Sequence, residues 1–223
     1  MDKQPKDVAC GSKHSMVLCQ GLSRSSRQPH GEVYAWGDNE FGQTGGGGSA
    51  VSAIDVVYSP RLVNLEAHYR PSIVKIDCGA NHSAFIDDIG RLFQCGANNF
   101  GQLGIGSFAS QAAPTHVESI TETVSSVACG TQHSVALTNK GKIWVVGANK
   151  NGELGIGRKY DDQSSPVFMK ELSFAKIKQV RSGGFTAALS DEDQLYVWGC
   201  GAFGDFFTPH RVKSFKNHQI MDF

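Results

Sequence analysis

Apolar residues in this chain come in short runs broken by glycine, asparagine and aspartate. Ser134-Val135-Ala136-Leu137-Thr138 is small and apolar, and Asn139-Lys140-Gly141 is a turn signal. Lys142-Ile143-Trp144-Val145-Val146-Gly147 follows, rich in β-branched and aromatic residues. That order predicts a β-hairpin, because such side chains pack on a pleated surface and the turn residues tolerate positive φ. Ser83 to Phe93 repeats the pattern with Asp88-Ile89-Gly90 at the turn. No long amphipathic stretch of helical period competes with it, so the pattern predicts an all-β fold.

The hairpins belong to a longer repeat. Val8-Ala9-Cys10-Gly11-Ser12-Lys13-His14-Ser15 recurs as Ile76-Asp77-Cys78-Gly79-Ala80-Asn81-His82-Ser83 and as Val127-Ala128-Cys129-Gly130-Thr131-Gln132-His133-Ser134. An eroded copy reads Val180-Arg181-Ser182-Gly183-Gly184-Phe185-Thr186 and lacks the histidine. A second motif follows each first one, centred on Gly37, Gly96, Gly147 and Gly199. The first-motif glycines step by 68, 51 and 53 residues and the second-motif glycines by 59, 51 and 52. A glycine-punctuated turn such as Phe100-Gly101-Gln102-Leu103-Gly104 comes next in three units. Pro60, Pro114, Pro166 and Pro209 are then expected to open the next extended piece. A repeat of about fifty residues with four short strands has the size of a propeller blade. The chain is therefore expected to be a β-propeller of four-stranded blades over residues 1–223. About four repeat units are present, near 7–75, 76–126, 127–179 and 180–219, with 220–223 starting a fifth.

Taken together, Cys-Gly-x-x-His-Ser, Trp-Gly-x-Asn, Gly-Gln-Leu-Gly-x-Gly and then Pro resemble the regulator of chromosome condensation repeat, most closely in the two central units. The resemblance implies a seven-bladed ring with sequence repeats offset against the blades, so four units leave it incomplete. Gln219-Ile220-Met221-Asp222-Phe223 is similar to Val74-Lys75-Ile76-Asp77-Cys78, as the start of a further unit would be. The remaining blades are expected from the same longer chain or from a partner; a native monomer of 24.0 kDa would rule out both. The resemblance further implies a non-catalytic, protein-binding propeller, a scaffold or regulatory module. Its alternative is guanine-nucleotide exchange on a Ran-like small GTPase, which needs a wedge hairpin and an acidic surface from several blades. A light-sensing plant member uses clustered tryptophans, whereas Trp36, Trp144 and Trp198 are spread over three units and are expected to pack between blades.

Charge narrows the partners. Twenty-one Lys and Arg balance twenty-one Asp and Glu, so the counterion-releasing basic excess of a duplex-binding domain is missing and nucleic acid is not the expected partner. No apolar run approaches the roughly 18 residues that span a bilayer, and the N-terminus carries no hydrophobic signal segment. The expectation is an intracellular protein without membrane insertion, cytoplasmic, with cytoskeletal, ciliary and nuclear placements open.

Candidate chemistry changes little. Most of the six cysteines sit at repeat positions, among them Cys10, Cys78, Cys95, Cys129 and Cys200, and are expected to be reduced and buried like small hydrophobes. His14, His82 and His133 each follow a cysteine by four residues, but equivalent positions lie on different blades and so do not converge on a metal. A hydrogen bond inside each blade is the expected role. Gly45 to Gly48 lacks the Lys-Ser/Thr of a phosphate loop. No catalytic, cofactor-binding or metal residues are predicted. Gly11, His14, Gly37, Gly79, His82, Gly96, Gly130, His133, Gly147, Gly183 and Gly199 are structural repeat positions. One insertion departs from the repeat: the motif glycines stand 26 residues apart in the first unit and 17 in the next two. The extra residues fall in the polar, basic segment Gln20 to His30, a predicted hairpin tip, which makes Arg24, Arg27 and His30 the candidate partner-binding loop. The first unit also extends its next loop, Gly46 to Tyr58. In the fourth, shortened unit, Phe203, Phe206 and Phe207 are expected to be buried.

Overall fold

Each repeat folds into one antiparallel meander, because short apolar runs joined by tight turns pair most directly with their sequence neighbours. The computed structural model describes residues 3–22, 29–47, 56–65, 71–157, 161–201 and 204–213. The first sheet holds β1 (Gln4–Cys10), β2 (His14–Leu22), β3 (Pro29–Asp38) and β4 (Val56–Leu62), paired in that order. The second holds β5 (Ile73–Cys78), β6 (His82–Asp87), β7 (Leu92–Gly96) and β8 (Gln111–His116). The third holds β9 (Val124–Cys129), β10 (His133–Thr138), β11 (Ile143–Gly147) and β12 (Gln163–Phe168). The fourth holds β13 (Ile177–Ser182), β14 (Thr186–Ser190), β15 (Leu195–Gly201) and β16 (Gly204–Arg211). These are four blades of a β-propeller, and the described sheets do not close a ring.

The innermost strands β1, β5, β9 and β13 lie side by side in succession and carry the first motif. Each begins three residues ahead of the expected unit boundary, at Gln4, Ile73, Val124 and Ile177, and each sheet is cut from one continuous stretch. The offset between repeat and blade is therefore not seen within these four sheets. Residues 220–223 lie outside the described residues.

Sheets pack face to face through apolar side chains that alternate along each strand. Met16, Leu18, Val33 and Ala35 of the first blade meet Phe85, Phe93 and Cys95 of the second. Ala84, Ile86 and Leu92 of the second meet Val124, Val127 and Cys129 of the third. Val135, Val145 and Leu154 of the third meet Val180, Ala188 and Trp198 of the fourth. β6 and β10, each with a blade on both sides, are buried at every position, and so is β14 of the fourth blade. In β2 burial alternates instead: His14, Met16 and Leu18 are buried, while Ser15, Val17 and Cys19 on the other face are only half-buried. No described sheet covers that face.

The prolines do not open the next extended piece. Pro60, Pro114, Pro166 and Pro209 each sit within their own blade's outermost strand, at a register shift against the neighbouring strand. An outermost strand has an unpaired edge, and a proline at a bulge there sacrifices no ladder bond while discouraging pairing with other chains. Val56-Val57-Tyr58, expected in a loop, starts β4 for the same reason that the run is apolar: Val57 is buried against the sheet.

Candidate functional site

Two motif glycines and the motif histidine meet at one point in each of the first three blades. A Cβ on Gly11, Gly79 or Gly130 would lie 2.3, 2.1 or 2.2 Å from Cε1 of His14, His82 or His133. Gly37, Gly96 and Gly147 have φ of +104, +106 and +112°, and a Cβ there would stand 2.7, 2.7 or 2.6 Å from the Cα of the same histidine. Only glycine fits both places, by sterics at the first and by sterics and backbone conformation at the second.

The imidazole does not bond inside its own blade as expected; it crosses to the next one. His14 shares a face of β2 with Met16 and Leu18, the face the second blade covers, so its Nε2 reaches Ser83 Oγ at 2.9 Å. His82 reaches Ser134 Oγ at 2.9 Å and His133 reaches Thr186 Oγ1 at 2.8 Å. Ser83 donates its own proton to the carbonyl of Gln43 at 2.7 Å. His14 must therefore be the donor through Nε2–H, leaving Nδ1 as a bare acceptor with no partner. Burial favours this neutral form and lowers the pKa of His14, His82 and His133 to about 4, 3 and 4. Among the described residues, no three His, Cys, Asp or Glu come together as metal ligands.

Asn39, Asn98 and Asn149 complete each junction, a role that sequence reasoning missed. Asn98 Oδ1 accepts from Leu103 N at 3.0 Å while Nδ2 donates to the carbonyls of Ser107 and Ala109 at 2.8 and 3.0 Å. Asn149 likewise accepts from Leu154 N at 3.2 Å, and Asn39 from Thr44 N at 3.1 Å. Each closes the glycine turn that offers a carbonyl to the next blade. Their recurrence two residues after Gly37, Gly96 and Gly147 was the available signal.

The fourth blade departs from this scheme yet keeps all four strands. Phe185 replaces the histidine, and a Cβ on Gly183 or Gly184 would touch nothing. Trp198 is buried between the third and fourth blades and donates Nε1–H to the Glu153 carbonyl at 3.0 Å. Trp144 instead donates to Glu122 at 3.1 Å, and Trp36 is half-buried on the first blade's open face. Phe206 and Phe207 are half-buried, and Phe203 lies outside the described residues. Cys78, Cys95 and Cys129 are buried, which pushes their thiols up and keeps them protonated. Cys10 and Cys200 are exposed, contrary to expectation. Cys10 belongs to an inner strand with no described blade on its outer side, and Cys200 sits near the end of β15 within 2.7 Å of Asp205.

On the inner strands, Asp77 is the one acidic residue at a position occupied elsewhere by Ala9, Ala128 and Arg181. Its carboxylate accepts from Cys129 N at 2.6 Å, tying the second blade to the third, and burial raises its pKa to about 6. It lines a cavity of about 460 Å³ with Lys6, Asp7, Lys75, Ser126 and Arg181.

The first blade carries the longest hairpin. β2 and β3 have 9 and 10 residues, against 6 and 5 in the second and third blades. The extra pairs are Cys19 with Glu32, Gln20 with Gly31, Gly21 with His30 and Leu22 with Pro29. Of the candidate loop residues His30 falls on β3, while Arg24 and Arg27 lie outside the described residues. Gly31 N donates to Ser72 Oγ at 3.0 Å, and a Cβ on Gly31 would lie 1.7 Å from the Ile73 carbonyl. Glycine thus lets the hairpin lean directly on the connection to the second blade. A cavity of about 290 Å³ opens at its base, lined by His30, Glu32, Leu62, Asn64, Leu65 and Pro71 among others. Lys3 is bonded to Glu32 and Tyr34 beside it.

Sheet order, blade size and junction chemistry define a repeat-built β-propeller module. The profile of the RCC1-like domain matches residues 1–219, and the chain belongs to that family. It is 31% identical over 204 residues to the X-linked retinitis pigmentosa GTPase regulator homolog of Caenorhabditis elegans, covering 88% of this chain and 13% of that protein. It is 32% identical over 227 residues to the ultraviolet-B receptor UVR8 of Arabidopsis thaliana, covering 96% and 49%. The chain thus spans less than half the length of these curated relatives. Among solved structures it is similar to yeast RCC1 (Prp20) bound to Kap60, with 22% identity and a TM-score of 0.74 over 97% of this chain and 50% of that one. Prp20p from Saccharomyces cerevisiae, also solved with its binding properties to Gsp1p and histones, matches at 22% identity and TM-score 0.74 over 97% and 52%. At these identities the structures show the shared fold. Among the described residues no helix is long and apolar enough to cross a membrane.

Proposed function

We propose that the chain is a non-catalytic interaction module, a scaffold or regulatory platform, that binds a protein partner through the lengthened β2–β3 hairpin of its first blade. The observation that carries this is the hairpin itself, the longest of the four, mounted on a sheet packed against its neighbour. A fixed frame lowers the ordering cost of binding, so loop side chains supply the affinity. Arg24 and Arg27 add positive charge to the connecting residues and His30 lines the cavity at the base, which suits an acidic protein surface. Protein partners of a similar propeller, Kap60, Gsp1p and histones, support the general reading. The open face of the first blade, with Ser15, Val17, Tyr34 and Trp36 half-buried, suits a further blade, from a longer polypeptide or a partner chain.

The test compares the tagged chain with an R24E/R27E variant in extracts of the native source, by quantitative mass spectrometry. At least one specific partner should be lost while the urea midpoint stays unchanged. An identical set of partners would remove the hairpin from the reading. Accelerated nucleotide release from a Ran-like GTPase, lost in the same variant, would replace the scaffold with an exchange factor.

A further inference from the structure

All four outermost strands contain the same bulge, in which three residues stand against one on the neighbouring strand. Residues 58–60 oppose Trp36, 112–114 oppose Cys95, 164–166 oppose Val146 and 207–209 oppose Trp198. In three of them the preceding blade holds the first bulge residue: Gly47, Gly106 and Gly157 donate their N–H to the carbonyls of Ala112, Ser164 and Phe207 at 3.0, 2.8 and 2.8 Å. The third residue is the proline. Between a tied carbonyl and a proline, the middle residue is left outside the ladder on the rim. It is the half-buried Ala113 in the second blade, and the exposed Ser59, Ser165 and Thr208 in the others.

We propose that Thr208 is a phosphate-acceptor site for a proline-directed serine/threonine kinase. Pro209 disfavours the helical region for Thr208 and holds it extended, the form in which a peptide threads a kinase cleft. The bulge takes Thr208 out of the ladder, since Val197 pairs with His210 and Gly199 with Phe206. The outer edge of β16 pairs with no described strand, so a cleft can approach it. His210 and Arg211 are exposed two and three residues past the acceptor and suit an acidic pocket beside the kinase site. The other hydroxyls lack that combination: Ser165 is followed by Val167 and Phe168, and Ser59 has only Arg61 two residues on. In the reaction Thr208 Oγ1 attacks the γ-phosphorus of ATP, the bond to the ADP oxygen breaks, and the hydroxyl proton passes to the kinase's carboxylate base. The phosphate adds about −2 charge next to Phe207, the residue seated on Gly152 and Gly157 of the third blade.

The 223-residue chain is incubated with ATP and a recombinant cyclin-dependent kinase, and the modified residue is located by intact mass and peptide fragmentation. One phosphoryl group on Thr208 is expected, absent in Thr208→Ala. Arg211→Ala should slow its addition about tenfold, the worth of one charge-assisted hydrogen bond. A synthetic peptide of residues 204–213 serves as the control for accessibility. Modification of the peptide but not of the folded chain would overturn the proposal, as would phosphate on Ser59 or Ser165 ahead of Thr208, or on neither chain nor peptide.

Discussion

In the second blade Gly79, His82 and Gly96 close on one another so tightly that no Cβ fits on either glycine; in the fourth, a Cβ on Gly183 or Gly184 would touch nothing and Phe185 stands 41% exposed in the histidine's place. Both blades nonetheless form a complete four-stranded meander. The motif is therefore not what makes a blade. It makes the joint between a blade and the one after it, through an imidazole that reaches Ser134 from the second blade and Thr186 from the third. The fourth blade has no described neighbour on that side and carries no imidazole to offer one. Its upstream face keeps full packing, with Trp198 supplying the bond to the preceding turn. Losing the motif changes one face of a blade and leaves the other intact.

Acid should expose this difference most. His14, His82 and His133 have folded pKa values near 4, 3 and 4, against 6.5 unfolded. Below pH 6.5 the unfolded chain takes up protons that the folded chain refuses, so stability falls as pH drops from about 6.5 towards 4. Asp77 works the other way, because its raised pKa of about 6 stabilises below 3.8 and that contribution is lost as pH rises through 6. Three histidines outweigh one carboxyl, for a net loss of about 4 kcal/mol between pH 7 and pH 5. Urea midpoints across that range check it, and a flat profile would mean that the imidazoles are solvated. Next in size is Gly79→Ala. Its Cβ would meet the His82 ring at 2.1 Å and the Gly130 carbonyl at 2.5 Å, so the joint must open, at about 3 kcal/mol.

The repeat and the propeller were legible because the same side chains recur at matched points and glycine tolerates few substitutes there. Direction was not legible. His82 follows Cys78 along one chain, and nothing in that spacing says that its ring faces the next blade rather than its own sheet. The prolines misled in a related way: a proline after a glycine-rich turn looks like the start of an extended segment, whereas Pro114 and Pro166 lie inside strands whose free edge tolerates the missing N–H. Asn98 and Asn149 recur as letters of the second motif, and nothing in that recurrence says that their amides each satisfy groups eight or more residues away. At the candidate loop, composition marked the insertion but not the cavity beneath His30, which depends on residues from β4 and the connection to β5.

Two smaller effects sharpen the contrast. His82→Ala removes a buried imidazole but leaves Ser134 its bond to the Gln102 carbonyl at 2.8 Å, so about 2 kcal/mol should be lost at pH 7. The same variant should show a shallower fall in acid, having one less proton to refuse, which separates the titration from simple loss of packing. Gly183→Ala belongs at the other end of the scale. It stands where Gly79 stands in the repeat, but with open space about it and no positive φ. A methyl group there meets no ring, and the reduced freedom of the unfolded chain can add a few tenths of a kcal/mol of stability. A midpoint equal to or slightly above that of the parent is expected. A loss as large as that of Gly79→Ala would mean that the glycine serves the sheet itself, and the division between making a blade and joining it would fail.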